Sequence, residues 1–162
     1  MSVIDELLSG ARGYAEGYTG GDLPVPPSRR LAVVSCMDSR IDVFGLLGLG
    51  AGEAHVIRNA GGVVTDDVIR SLTISQRLLG TTEIMLIHHT GCGMLTFTDD
   101  AEKERIKAET GIRPTFALEA FPDLDDDVRQ SKARLLASPF LLHKSVRGFV
   151  FEVESGYLRE VE

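Results

Sequence analysis

Three short apolar runs set the limits on what this chain can fold into. Residues 31–36, 54–59 and 83–88 are rich in β-branched side chains, and each is followed by loop or helix signals. Runs that stay apolar instead of alternating fit strands buried on both faces. Between the second and third runs, Val68, Leu72 and Leu79 fall at helical spacing, with Asp66 placed to cap the helix and Gly80 to close it. Residues 41–47 leave room for a short helix after the first run. Strands alternating with helices imply parallel strands joined by right-handed crossovers. Residues 146–153 form a further strand, which Ser155-Gly156 can turn into a last one at 157–161. The expected fold is α/β: a central mostly parallel β-sheet of about four strands plus an antiparallel C-terminal strand, flanked by helices. Residues 99–110 and 123–137 supply two of those helices.

A length of 162 residues fits a single domain over 1–162. Its first part stands apart. Ile4, Leu7, Leu8, Ala11, Ala15 and Tyr18 share one helical face over residues 3–18. Gly20-Gly21 and the prolines at 24, 26 and 27 then stop the helix and extend the chain. An amphipathic helix on a Pro-rich arm, residues 1–27, can dock on its own domain or on a neighbour.

The net charge is −7, from 24 acidic against 17 basic residues. A nucleic-acid backbone is repelled by such a chain, so no nucleic-acid partner is expected. The acidic run at 123–127 reads as a solvated helix start. No apolar stretch approaches the roughly 18 residues of a membrane span, so no membrane partner is expected. The N-terminal stretch lacks the pattern of a secretory signal. With only two cysteines, the expected location is cytoplasmic, with both thiols reduced.

Both cysteines and two of the four histidines lie just past strand ends. Cys36-Met37-Asp38-Ser39-Arg40 follows the first run; His88-His89-Thr90-Gly91-Cys92-Gly93 follows the third. In an open parallel sheet, ligands collect at the carboxyl ends of the strands. If these two strands are neighbours, Cys36, His89 and Cys92 can converge, with Gly91 and Gly93 permitting the tight turn. Two thiolates and an imidazole suit zinc, and three protein ligands leave a fourth position open, as at catalytic sites. Other readings of the same residues are two buried cysteines or a redox pair. His88, adjacent to His89 on an extended segment, points the other way and reads as structural. His55 and His143 read as core or surface histidines.

Cys36-x-Asp38-Ser39-Arg40 together with His89-Thr90-x-Cys92-Gly93 resembles the paired signature of β-class carbonic anhydrases. Arg58-Asn59-Ala60-Gly61-Gly62 resembles a further segment of that family. The resemblance implies a zinc hydro-lyase that reversibly hydrates carbon dioxide to bicarbonate and a proton by attack of zinc-bound hydroxide. It implies one Zn2+ per chain, with Cys36, His89 and Cys92 as ligands and Asp38 and Arg40 as the catalytic dyad. It further implies a closed form at lower pH in which Asp38 leaves Arg40 and becomes a metal ligand. Val33 stands where some members carry a Trp of a regulatory bicarbonate pocket, so that pocket is expected to be missing. A homodimer or dimer of dimers is implied, with residues 3–18 reaching across to the partner. The alternatives are hydrolysis of carbonyl sulfide or carbon disulfide on the same scaffold, or a non-catalytic zinc-stabilised binding protein.

Overall fold

In the computed structural model, which describes residues 2–162, the apolar runs are strands of one five-stranded sheet. The chain runs α1 (Val3–Glu16), β1 (Leu31–Cys36), α2 (Val43–Leu47), β2 (Ala54–Asn59), α3 (Asp66–Arg77) and β3 (Glu83–His89). It continues through α4 (Asp99–Thr110), α5 (Leu124–Ala137), β4 (Ser145–Phe151) and β5 (Leu158–Val161). The sheet order is β2-β1-β3-β4-β5. The first four strands are parallel and β5 is antiparallel to β4. This is the expected α/β sheet with an antiparallel C-terminal strand. Met1, part of the expected span 1–162, lies outside the described residues.

Strand period 2 sorts the side chains into two layers. Ala32, Val34, Ile84 and Leu86 face α3 and α5, where they meet Val68, Leu72 and Leu135. Val33 and Ile87 face the opposite way and join Ile41, Val43, Val63 and Phe121. Both faces are therefore covered, which is why Leu31–Val34 of β1 and Ile84–Ile87 of β3 are apolar without alternation.

Several local expectations change in the structure. Thr65, not Asp66, caps α3: it is extended (φ −90°, ψ 173°) and its hydroxyl accepts from Val68 N at 3.3 Å. Asp66 instead opens the first turn and pairs with Arg134 at 2.8 Å. The helix closes at Arg77, with Leu78 as its C-cap, and Gly80 (φ +74°) sits in the turn that follows. The acidic run is not simply a solvated helix start. Asp123 caps α5 by accepting from Asp126 N at 2.9 Å, Asp125 pairs with Arg159, and Asp127 reaches inward to His88. Among the described residues, no helix is long and apolar enough to cross a membrane.

The helix α1 is the exception to the packing. Ser2 and Asp5 form a reciprocal capping box at its start. Yet none of its residues is buried, and Ile4 and Leu7 are about 70% exposed. Among the described residues, its apolar stripe has no counterpart.

Candidate active site

The register of the sheet builds the site. Because β1 and β3 are parallel neighbours with Ser35 beside Ile87, Cys36 and His89 leave the sheet at the same edge. After His89 the chain turns through Gly91 (φ +62°), which returns Cys92 toward Cys36. Gly93, expected to help this turn, has ordinary negative φ and is not required for it. The ligand atoms of Cys36, His89 and Cys92 all lie within 4.8 Å of one another, and all three residues are buried. Both cysteines are free thiols. From β2, the Ala60–Gly62 turn closes over the same edge. Gly62 (φ +70°) lies so close that a Cβ there would sit 2.8 Å from Cys36 N and 3.1 Å from Ile87 O.

Hydrogen bonding fixes the chemical state of these donors. His89 Nδ1 lies 2.9 Å from Thr90 O. A carbonyl only accepts, so Nδ1 carries the proton and Nε2 presents its lone pair. Nε2 is buried and has no hydrogen-bond partner. A buried acceptor left bare is costly, so the site is built for something further. The Cys36 thiol is held below its ordinary pKa by a hydrogen bond from Cys92. Burial opposes this, and His89 with the backbone N–H groups of Asp38 and Gly61 adds to it. Cys92, as the donor in that bond and buried as well, is pushed up. Burial lowers the pKa of His89, but the nearby Cys36 sulfur and its charge outweigh it, and the net shift is upward. The thiols thus compete for a charge that a divalent cation would relieve. A sulfur–nitrogen–sulfur donor set with a bare, aimed Nε2 fits a soft or borderline metal ion.

Beside this group, Arg40 grips Asp38 with both ends of its fork. Nε donates to Oδ1 at 2.9 Å and Nη2 to Oδ2 at 2.7 Å. The Arg40 backbone N–H adds a bond to Oδ1 at 2.9 Å. These bonds, the side-chain pair first, hold the Asp38 carboxyl well below the usual carboxylate range. Arg40 Nη2 also donates to Gly91 O at 3.1 Å, tying the two loops together. Asp38 Oδ2 lies 3.7 Å from His89 Nε2. The structure therefore gathers Cys36, His89 and Cys92 into one group, with Asp38 alongside it and bonded to Arg40. A cavity of about 220 Å³ opens over them, lined also by Met37, Ala60, Gly61 and Met94.

A family model for carbonic anhydrase matches residues 31–135. Beta-carbonic anhydrase 1 of Mycobacterium tuberculosis is 60% identical over 162 residues, covering 99% of each chain. The chain belongs to the β-carbonic anhydrase family. The crystal structure of a carbonic anhydrase from Streptococcus mutans superposes with a TM-score of 0.94 at 41% identity, covering 100% of this chain and 99% of that one. A carbon disulfide hydrolase of Saccharolobus solfataricus is 36% identical over 183 residues, covering 97% of this chain and 88% of its own. The β-carbonic anhydrase scaffold here carries two supports that the sequence did not reveal. His88, fully buried on the opposite face from His89, bonds through Nε2 to Asp127 Oδ2 at 2.7 Å. Thr90 Oγ1 donates to Glu154 at 2.8 Å and accepts from Val153 N at 3.0 Å, fastening the His89 loop to the β4–β5 turn. Neither tie has a local signal, because the partners are far apart in the chain.

Proposed function

We propose that this protein is a zinc enzyme interconverting carbon dioxide with bicarbonate and a proton. In this reading Cys36, His89 and Cys92 hold one zinc ion per chain, and Asp38 and Arg40 orient the attacking oxygen. The observation that carries it is the buried sulfur–nitrogen–sulfur group with a bare Nε2, flanked by a carboxylate locked at its side. Zinc bound there would supply Lewis-acid activation of water, as it does in carbonic anhydrases with three histidine ligands, where the water pKa falls to about 7.

The chain's own residues do the rest. Asp38, kept ionised by Arg40, can only accept a hydrogen bond. It accepts the O–H of the attacking oxygen and so turns that oxygen's lone pair toward the carbon of carbon dioxide. Arg40 occupies both carboxylate oxygens, which keeps Asp38 from swinging toward Nε2 of His89. If Arg40 releases it, Asp38 can become a metal ligand and close the site. Thr90 O holds the His89 proton on Nδ1 and keeps Nε2 aimed inward. Met37, Ala60 and Met94 give the cavity an apolar wall suited to a small linear substrate.

Two further parts belong to this reading. The bare apolar stripe of α1 supports a homodimer, or a dimer of dimers, in which residues 3–18 pack on the partner. The need for two reduced thiols at the metal supports a cytoplasmic location.

Stopped-flow hydration of carbon dioxide, with metal analysis on the same samples, tests the proposal. Parent protein should carry one zinc per chain, and Cys36→Ser should lose it. Asp38→Ala should keep the metal and lose about 100-fold in rate, the scale of a misplaced reacting group. A zinc-loaded parent that does not hydrate carbon dioxide refutes the reading. Turnover of carbon disulfide in its place would point to the hydrolases that share this scaffold.

A further inference from the structure

Arg58 sits near the end of β2, across from Ser35 in the register of β1. Its Nε donates to the Cys36 carbonyl at 2.9 Å and its Nη2 to the Asp38 carbonyl at 2.7 Å. One planar fork thus spans the main chain of a proposed zinc ligand and of the proposed orienting carboxylate. Met37, between them, donates its N–H to Asn59 O at 2.7 Å. The exit from β1 is therefore fastened to β2 at three successive residues. Among the described residues, no carboxylate pairs with Arg58, so its hydrogen bonds go to these carbonyls. Asp38 O also accepts from Ile41 N at 3.1 Å, so the Arg58 bond is not needed to satisfy that oxygen. What the fork adds is a fixed angle between two consecutive functional positions.

We propose that Arg58 is a positioning residue for the reaction: it clamps the Cys36 and Asp38 carbonyls so that the thiol and the carboxylate face the same point. This rests on the function proposed above. The role calls for arginine. A rigid guanidinium presents two donors in one plane at the spacing of the two carbonyls, whereas a lysine ammonium is a single donor centre. Arg58 does not line the cavity over the Cys36–His89–Cys92 group. It acts through the backbone that carries Cys36 and Asp38, as outer supports of metal sites do.

The test uses Arg58→Met, which keeps the aliphatic stem, and Arg58→Lys, which keeps the charge. Three quantities are read: zinc affinity by competition with a chromophoric chelator, kcat and KM for carbon dioxide, and amide hydrogen exchange at Met37 and Ile41 in metal-free protein. Arg58→Met should lower kcat or zinc affinity by about 10- to 100-fold, the range for outer supports of a metal site. KM should stay within about twofold of the parent, because Arg58 does not line the cavity. Exchange at Met37 and Ile41 should quicken, and Arg58→Lys should recover part of each loss. Should Arg58→Met fail to fold, Arg58→Lys alone must still lose in kcat or zinc affinity. Unchanged kcat, zinc affinity and exchange in a folded variant overturn the inference. So does a loss of melting temperature with no loss in any of the three. If the parent binds zinc but does not hydrate carbon dioxide, while Arg58→Met still weakens zinc binding, the clamp stands and the proposed reaction falls.

Discussion

Replacing Gly62 by alanine puts the most pressure on the geometry of the site. Gly62 has φ +70°, and an added Cβ would lie 2.8 Å from Cys36 N, 3.0 Å from Ser35 C and 3.1 Å from Ile87 O. All three atoms belong to the main chain of β1 and β3, so no side chain can rotate away. Gly80 is the natural control, since it has φ +74° but no heavy atom within 4 Å of its would-be Cβ. In both variants left-handed backbone costs about 1–2 kcal/mol, offset by about 0.4–1 kcal/mol from a stiffer unfolded chain. Gly80→Ala should therefore lose at most about 1.5 kcal/mol. Gly62→Ala adds overpacking of about 1–3 kcal/mol, for a total of roughly 1–4.5 kcal/mol. At about 2–4 °C per kcal/mol for a chain of this size, Gly62→Ala should melt roughly 2–18 °C below the parent, Gly80→Ala no more than about 6 °C below, and Gly62→Ala at least about 2 °C below Gly80→Ala. Because the crowded atoms flank Cys36, zinc affinity should also drop about tenfold in Gly62→Ala alone. Thermal melts of the metal-free variants and chelator competition give both numbers. If the two variants melt within about 1 °C of each other and both bind zinc like the parent, the close approach of the Ala60–Gly62 turn to the strand ends does not govern the site.

Other consequences follow from the same contacts. Asp127→Ala leaves fully buried His88 Nε2 without its partner, at a cost of about 1–3 kcal/mol. Asp127→Asn, which keeps an acceptor oxygen, should restore most of the melting temperature. Burial raises the Asp99 carboxyl, but backbone N–H groups of Ala120, Leu118 and Glu119 outweigh it and bring its pKa below the ordinary value. A depressed folded pKa stabilises above the unfolded value of about 3.9, and that contribution disappears as pH falls through the folded value. Asp99→Asn should therefore melt below the parent at pH 7, with the gap closing toward pH 3; a gap that is constant with pH excludes the charge effect. The paired change Leu7→Glu and Leu8→Glu on α1 should convert a dimeric parent to monomer in sedimentation velocity, without unfolding a helix that buries nothing in its own chain. A monomeric parent removes that prediction and the dimer with it.

The order of elements was legible because period and punctuation are local properties. Strands covered on both faces tend to run apolar, and the bounds of β1 and β2 match the runs read at 31–36 and 54–59, although β2 is an edge strand with no fully buried residue. The partner group Cys36, His89 and Cys92 could be named from the sequence for a related reason: parallel strands place their carboxyl ends at one edge, whatever lies between them. Helix caps were less legible. Thr65 and Asp66 are both good capping residues, and only the backbone angles chose between them. The 123–127 acidic run does open a helix, with Asp123 as its cap and Asp126 exposed, but not all of its carboxylates are solvated. Charge is cheapest in water, so composition points outward, while Asp127 is drawn inward by His88, a residue far away in the chain. The Arg58 clamp, the Thr90–Glu154 tie and the crowding at Gly62 belong to the same class. Sequence alone named the candidate ligands Cys36, His89 and Cys92 and the strand ends that present them. Tertiary structure decided which way each donor points and what holds it there, because hydrogen bonds between distant segments are directional over tenths of an ångström and leave no periodic trace in the chain.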